Sequence, residues 1–207
     1  MNEYRFIKGR YQTEIEVKRS RFIASICGEV DSESAQAFVD EVKKSYPDAK
    51  HNCYAYIGDE LGNVAKFSDD GEPGGTAGQP MLEVLKKSGL VKTAVVVTRY
   101  FGGIKLGTAG LLSAYTKAVV ECLKIAEIKT KKQATECELS CDYAQFSTLE
   151  SIISQKQYVL SSVEYGDTVM AKIFVTPDNL KQFEEKVMEK TNGGAKIKYG
   201  EMRFVEF

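Results

Sequence analysis

Two glycine-rich segments that also carry charged side chains are the parts of this sequence best suited to bind a ligand. The first, called here the acidic loop, is SDDGEPGGTAGQP, residues 68–80. The second, called the basic loop, is RYFGGIKLGTAG, residues 99–110. Glycine is used where the backbone takes a positive φ or approaches another group closely, at a cost in conformational entropy on folding. We therefore expect the two loops to form the functional surface.

The basic loop could hold a phosphate, because a predicted buried strand runs through glycines into a helix N-terminus. Its spacing, GxxxGxxG from Gly103, is neither the dinucleotide fingerprint nor the P-loop. Arg99, Lys105 and the Thr108 hydroxyl could still converge on an anion together with exposed amides. Alternatively, the loop is a tight turn and Arg99 pairs with a carboxylate. The candidate anion- or nucleic-acid-binding residues are Arg99, Tyr100, Gly102, Gly103, Lys105, Gly107 and Thr108.

The acidic loop places Asp69, Asp70 and Glu72 within four residues. Carboxylates bind hard cations and can act as acid and base, so a metal-assisted hydrolase is the alternative function. The EF-hand spacing and a Ser/His/Asp order are absent, and such acids also serve as partners of Arg or Lys or as helix caps. We predict no catalytic residue, metal or cofactor, and favour a non-catalytic role. The candidate residues of this loop are Ser68, Asp69, Asp70, Glu72 and Thr76, the last as a helix cap.

The single histidine, His51, precedes Cys53 by two residues. A Cys–His couple could be nucleophilic. The five cysteines are an odd number without a CxxC pair, which indicates reduced thiols, and core positions are the default for them. Aromatic residues near basic ones could stack on single-stranded nucleic acid or pack in the sheet; they are Tyr54, Tyr56, Tyr100 and Phe101.

The elements that must position these loops follow from the hydrophobic periodicity. Residues 13–30 predict two strands around the basic turn 18–21, and residues 31–47 predict a helix. Strands are predicted at 51–57 and 64–67, and a helix follows the acidic loop. The AVVV run within residues 91–98 predicts a central strand buried on both faces. A long helix follows the basic loop, so the first part has the order β-β-α-β-β-α-β-α.

The rest of the chain predicts a second, smaller domain. Residues 129–133 are polar and predict a linker. The pattern that follows is β-α-β-β-α-β, the ferredoxin-like plan. We therefore predict an α+β protein with domains at residues 1–133 and 134–207.

Composition limits the function classes. The chain has 207 residues, 28% of them charged, with a formal net charge of −1. This balance argues against a non-specific polyanion binder, so any basic surface must be local. No signal peptide is visible, and no apolar run approaches the roughly 20 residues of a membrane span. We expect a cytoplasmic protein without a membrane partner, and the oligomeric state stays open.

Four segments resemble the IMPACT/YigZ family: KRSRFIA (18–24), HNCYAY (51–56), FSDDGEPGGTAGQPML (67–82) and VVVTRYFGGIKLGTAG (95–110). The resemblance covers most of residues 18–125. The region after residue 134 is similar to the small C-terminal domain of the bacterial, YigZ-like members. The resemblance implies a first domain like the α/β sandwich of ribosomal protein S-five domain two. It implies a ferredoxin-like second domain similar to the last domain of elongation factor G.

The resemblance also implies a function. Eukaryotic relatives restrain the amino-acid-starvation kinase by competing for its activator protein, and nucleic-acid or ribosome association has been inferred for bacterial members from their fold. We therefore expect a regulatory or binding protein linked to translation or the stress response, which binds RNA, a ribosome, a nucleotide or a protein partner at the two loops. Two positions depart from the family pattern: Ala109 replaces a glycine, and Ser113 stands where a basic residue is usual.

Overall fold

The computed structural model describes residues 2–207, which divide into two units with separate hydrophobic cores. The first unit comprises residues 3–129, and the second comprises residues 130–207 with residue 2. Both units combine antiparallel strands with helices. The chain is therefore an α+β protein of two domains, as its sequence predicts. No helix within residues 2–207 is long and apolar enough to cross a membrane.

The first unit is built on a five-stranded antiparallel sheet of order β2-β3-β6-β4-β5. The strands of this sheet are β2 (Arg10–Val17), β3 (Ser20–Gly28), β4 (His51–Ile57), β5 (Ala65–Ser68) and β6 (Thr93–Tyr100). The unit also contains β1 (Glu3–Ile7), which is not part of this sheet. Its helices are α1 (Ser32–Ser45), α2 (Gly78–Lys87) and α3 (Gly107–Ile125).

The central strand β6 is buried on both faces, which confirms the prediction from its β-branched run. Val95 and Val97 pack in the core formed with α2 and α3. Ala94 and Val96 point to the other face, where they pack with α1. Because side chains alternate along a strand, Arg99 lies on the α2–α3 face and Tyr100 on the α1 face.

One end of this sheet collects the segments that the sequence marks as functional. The strand register pairs Arg99 with His51 of β4 and Tyr100 with Arg21 of β3. The turn 18–19, between β2 and β3, therefore lies at the same end as the start of β4 and the basic loop. Antiparallel pairing thus brings together residues that are about 80 positions apart in sequence.

The second unit has the predicted β-α-β-β-α-β order. Its elements are β7 (Ile128–Cys141), α4 (Tyr143–Ile153), β8 (Tyr158–Tyr165), β9 (Val169–Val175), α5 (Pro177–Lys190) and β10 (Lys196–Glu206). The strands are arranged β10-β7-β9-β8, and every neighbouring pair is antiparallel. Both helices bury their apolar sides in one core against the sheet, with Leu149 from α4 and Phe183 from α5. This arrangement confirms the ferredoxin-like plan.

The structure differs from the sequence-based prediction of the elements at two places, a linker that is wrong and a strand that was missed. The predicted linker 129–133 lies within β7, where Lys131, Lys132 and Gln133 pair with β10. Pairing with β10 satisfies the backbone hydrogen bonds of the segment, while its polar side chains remain partly exposed. The segment therefore lacks the apolar alternation by which a strand is recognised in sequence. Strand β1 was not predicted, although Phe6 and Ile7 are fully buried. It is short, and its alternation covers too few residues to stand out.

Candidate functional site

The acidic and basic loops line one cleft of about 450 Å³, a volume within the range of small-ligand sites. Lys50, directly before β4, and His51, the first residue of β4, contribute to its wall. The remaining polar and aromatic lining comes from the two loops: Glu72, Arg99, Phe101, Lys105 and Thr108. The sheet end described above is therefore the floor of a site, and both sequence-predicted loops contribute to it.

A buried ion pair joins the two loops at the bottom of the cleft. Arg99 Nη1 lies 2.6 Å from Glu72 Oε1, and the two side chains are 8% and 3% exposed. The same Glu72 oxygen accepts a hydrogen bond of 2.8 Å from the Tyr115 hydroxyl on α3. Burial raises the pKa of Tyr115, so its hydroxyl stays protonated and available as the donor. Glu72 thus links the acidic loop to β6 and to α3.

Of the two alternatives for Arg99, the structure shows the carboxylate partner. Its charge is compensated by Glu72 in this structure. The guanidinium carbon lies 5.5 Å from the ring centre of Phe22 and 5.7 Å from that of Phe101. Within residues 2–207, Arg99 Nε has no hydrogen-bond partner although it is buried. Arg99 thus lines the cleft, and its Nε–H is a hydrogen-bond donor without an acceptor.

The basic loop uses its glycines for two different purposes. Gly102 lies against the hairpin turn, where a Cβ would overlap the Arg19 carbonyl group. Gly103 and Gly107 have φ values of 85° and 74°, which residues with a side chain rarely adopt.

Tyr100 does not line the cleft, because it points to the opposite face of β6, where the Arg21 guanidinium stacks over its ring at 5.4 Å.

The N-terminus of α3 opens into the cleft. Leu106 occupies the N-cap position and supplies no side-chain acceptor for the first amides of the helix. These amides lack intrahelical partners and carry the positive end of the helix dipole. Lys105, Gly107 and Thr108 surround them and are exposed. An anion placed here would meet amide donors, a hydroxyl and an ammonium group.

Asp69 organises the acidic loop. Its Oδ1 accepts from the amides of Ala77 and Gly78 at 2.9 and 2.8 Å, and its Oδ2 accepts from the Gly75 amide at 2.8 Å. Asp69 therefore supplies the capping acceptor at the start of α2, and the expectation that Thr76 does so is wrong. Thr76 instead donates to the Pro73 carbonyl at 2.7 Å, because Asp69 already occupies the helix amides.

Asp70 and Ser68 complete the fold of this loop outside the cleft. Asp70 Oδ1 pairs with Lys43 Nζ at 2.8 Å, and Oδ2 accepts from the Asn52 amide at 2.7 Å. Ser68 Oγ accepts from the Asp70 amide at 3.1 Å. Asp70 has a φ of 43°, and this local network holds it there.

The three carboxylates of the acidic loop do not form a joint acid–base or metal site. Asp69 binds backbone amides, Asp70 binds Lys43, and Glu72 binds Arg99 and Tyr115. Across residues 2–207, no group of three His, Cys, Asp or Glu side chains has the arrangement of a metal site. The hydrolase alternative therefore has no support in the geometry of the loop.

His51 lines the cleft and is held by the backbone of Asp70. Its Nδ1 lies 2.9 Å from the Asp70 carbonyl oxygen, which can only accept, so Nδ1 carries a proton. In the neutral ring Nε2 is then an acceptor. Cys53 points to the same sheet face, but its thiol donates to the Asp69 carbonyl at 2.9 Å and is fully buried. Burial raises the pKa of the Cys53 thiol to about 12, so it is no nucleophile at neutral pH.

The raised pKa of Cys53 predicts how stability depends on pH. An unfolded thiol ionises near its ordinary value of 9.0, whereas the folded one keeps its proton up to about 12. The folded state thus binds more protons between these values, and the free energy of unfolding falls as the pH rises through this window. We expect Cys53→Ala to fall less steeply than the parent protein in denaturant titrations. Rapid labelling of Cys53 by iodoacetamide in the native protein at neutral pH would contradict the buried, protonated thiol.

Sequence reasoning missed two residues of the site, Lys50 and Tyr115. Lys50 is an exposed residue directly before β4, and its only signal is its position next to His51. Tyr115 lies at an apolar, core-facing helical position, and it is buried. Its periodicity indicated packing, so the partner of its hydroxyl could not be predicted. Tyr54 and Tyr56 pack in the core between the sheet and α1, which is the packing alternative considered for these rings, not the stacking one.

Comparison with known proteins identifies the family of this chain. The model of the Impact N-terminal domain matches residues 18–123, which include both loops and the whole cleft. The chain is 39% identical to the IMPACT family member YvyE of Bacillus subtilis (strain 168), over 100% of this chain and 95% of the relative. This chain belongs to the IMPACT family.

Further comparisons extend this IMPACT family assignment to both units. A domain of unknown function, DUF1949, matches residues 139–193 in the second unit. The IMPACT family member YigZ of Escherichia coli (strain K12) is 36% identical over 88% of this chain and 90% of its own length. A crystal structure titled as a hypothetical protein has a TM-score of 0.61 and 33% identity, covering 95% of this chain and 97% of that one. Membership in the IMPACT family supports a regulatory or binding role.

Proposed function

We propose that this IMPACT-family protein is a non-catalytic RNA-binding regulator in translation or the stress response, and that the cleft holds one nucleotide of a single strand. The observation that carries the proposal is the composition of the cleft. Exposed cations and an uncapped helix N-terminus adjoin an exposed aromatic ring within one volume of about 450 Å³. This combination suits a ligand with an anionic part and a flat apolar part.

The anionic part of the ligand fits the N-terminus of α3. Lys105 and the first residues of the helix, Gly107 and Thr108, line the cleft together there. Helix N-termini bind phosphate because free amides and the helix dipole act in the same direction. The buried Arg99 side chain adds an independent indication, because its unpaired Nε leaves a polar donor unsatisfied in the wall of the same cleft.

The flat part of the ligand fits the apolar side of the cleft. Phe101 is 57% exposed, although phenylalanine is normally buried. Pro73, Leu106 and Leu111 add apolar surface to the lining. Stacking of a base on an aromatic ring contributes about 1–3 kcal/mol and tolerates any base. Such a site favours an unpaired nucleotide, since its base must leave the stack of a duplex to reach Phe101.

Local charge supports an anionic ligand despite the overall charge of −1. Several basic side chains of the first unit are neutralised by acids, as Arg10 is by Glu41 and Lys43 by Asp70. Lys50 and Lys105 are exposed and form no ion pair within residues 2–207. These two free lysines support a local positive site on a nearly neutral chain.

Removal of both free lysines is expected to weaken RNA binding. For Lys50→Ala with Lys105→Ala, we expect the affinity for an oligouridylate of about ten nucleotides to fall roughly 20-fold at about 0.1 M salt. This follows because each phosphate contact on a single strand contributes about 0.7 to the slope of log affinity against log salt. Fluorescence anisotropy over a salt series measures both quantities, and the slope should decrease by about 1.4.

A matched control separates the cleft from net charge. Lys44→Ala with Lys117→Ala removes the same charge from exposed positions of α1 and α3 outside the cleft. This control should retain affinity and slope. Equal losses in both double variants, or no loss in either, would refute the cleft as an RNA site. Capture of partners from lysate that persists after ribonuclease treatment would favour a protein partner at this surface instead.

A further inference from the structure

The turn between β2 and β3 is an unusual two-residue hairpin turn. Lys18 and Arg19 both have positive φ values, 47° and 63°. A turn of this pattern is usually built from Asn-Gly or Asp-Gly, because positive φ is unfavourable for residues with long side chains. Strained backbone of this kind is concentrated at functional sites. The turn therefore holds two basic residues where the fold alone would favour others.

The turn adjoins the cleft through the basic loop. The Gly102 amide donates to Ser20 Oγ at 3.1 Å, and a Cβ on Gly102 would overlap the Arg19 carbonyl group. Phe101, which lines the cleft, is the residue directly before Gly102, so their Cα atoms are about 3.8 Å apart. A ligand that leaves the cleft past Phe101 therefore meets the turn 18–19.

The two side chains of the turn are available to a ligand. Lys18 and Arg19 are exposed, and neither forms an ion pair with any other described residue. Their basic neighbours differ in this respect: Arg21 pairs with Glu14 at 2.7 Å, and Arg10 pairs with Glu41 at 2.7 Å. Lys50 and Lys105 thus line the cleft, while Lys18 and Arg19 lie in the turn that contacts Gly102, next to Phe101 in sequence.

We propose that the turn 18–19 is a second phosphate-binding element, so that the ligand is a single-stranded RNA several nucleotides long whose backbone runs from the cleft over the turn. This inference rests on the proposed function of the cleft. The cleft has room for about one nucleotide by its volume, so neighbouring nucleotides must lie outside it. The turn supplies the charge that a continuing backbone requires, and single-strand sites typically span about 4–16 nucleotides.

The test replaces the turn by one that is better for folding and lacks charge. In Lys18→Asn with Arg19→Gly, the positive φ values are favourable, so the thermal midpoint should stay the same or rise. Affinity for an oligouridylate of about ten nucleotides should fall roughly 20-fold at about 0.1 M salt, and the salt slope should decrease by about 1.4. Lys18→Gln with Arg19→Gln also removes the charge but does not introduce residues that favour positive φ. It should lose the same affinity for the oligouridylate. Uridine monophosphate, which occupies the cleft alone, should bind all three proteins with similar affinity.

The outcomes distinguish this inference from the proposed function. If the two turn variants keep full affinity and slope while the variant of Lys50 and Lys105 loses them, the cleft stands and the turn inference is overturned. Equal losses for the oligonucleotide and for uridine monophosphate in the turn variants also overturn it, since the turn would then act through the cleft. If the parent protein binds neither probe, both proposals are overturned.

Discussion

Replacing Glu72 by alanine is expected to lower the free energy of unfolding of the first unit by about 3–5 kcal/mol, because it leaves a buried guanidinium without its counter-charge. The Arg99 side chain is 8% exposed, and its Nη1 is held by Glu72 at 2.6 Å. The Tyr115 hydroxyl would also lose its acceptor. Buried polar groups left without partners cost more than the intact bond contributes.

The double variant Glu72→Leu with Arg99→Met separates the ion pair from the packing. Replacing a buried pair by apolar side chains of similar size is often neutral or stabilising, so we expect this variant to be much more stable than Glu72→Ala. The two positions should therefore couple strongly in a double-mutant cycle. Amide hydrogen exchange along β6 measures the stability of the first unit separately from that of the second.

A matched control is Glu83→Ala on α2, which removes an exposed glutamate 3.6 Å from Lys86. Exposed pairs contribute about 0–1 kcal/mol, so the effect should be small. A loss in Glu72→Ala no greater than that in Glu83→Ala would mean that the pair with Arg99 is solvated. The conclusion that the Glu72–Arg99 pair holds the two loops together would then be wrong.

The sequence predicted the elements better than the contacts between them. The hairpin around residues 18–19, the buried strand β6 and the plan of the second unit follow from periodicity and turn residues, which are local. The acidic cluster shows where prediction from sequence stops. Asp69, Asp70 and Glu72 are close in sequence, yet each contacts a different partner. Which carboxylate faces the helix amides, the lysine or the arginine depends on backbone directions within the loop that spacing does not determine.

The same limit applies to the cleft. Its two loops could be identified from glycine and charge, because both properties are visible in a short stretch. Their meeting at one sheet end depends on the register of β4 with β6, which pairs His51 with Arg99. Lys50 enters the site only through that register. The long polar start of β7 was concealed for the same reason, since its partner β10 lies about 70 residues away.

Replacing Asp69 by alanine is the second change expected to have a large effect, with a loss of about 2–3 kcal/mol in the free energy of unfolding of α2 and the acidic loop. One carboxylate accepts three backbone amides there. Loss of a helix cap costs about 0.5–2 kcal/mol, and hydrogen bonds to charged groups contribute about 1.5–3 kcal/mol. Amide hydrogen exchange should quicken most at Gly75, Ala77 and Gly78.

Asp69→Asn should lose about half as much, because an amide oxygen can still accept from Ala77 and Gly78 but has no second oxygen for Gly75. The control Asp59→Ala removes a carboxylate that accepts from the amides of Asn63 and Val64 in an exposed loop. Water can replace it, so the loss should be below about 1 kcal/mol. If Asp69→Ala is no more damaging than Asp59→Ala, the cap does not hold the acidic loop. If the cap holds, the loop that carries Glu72 and Pro73 to the cleft depends on a carboxylate that does not itself line the cleft.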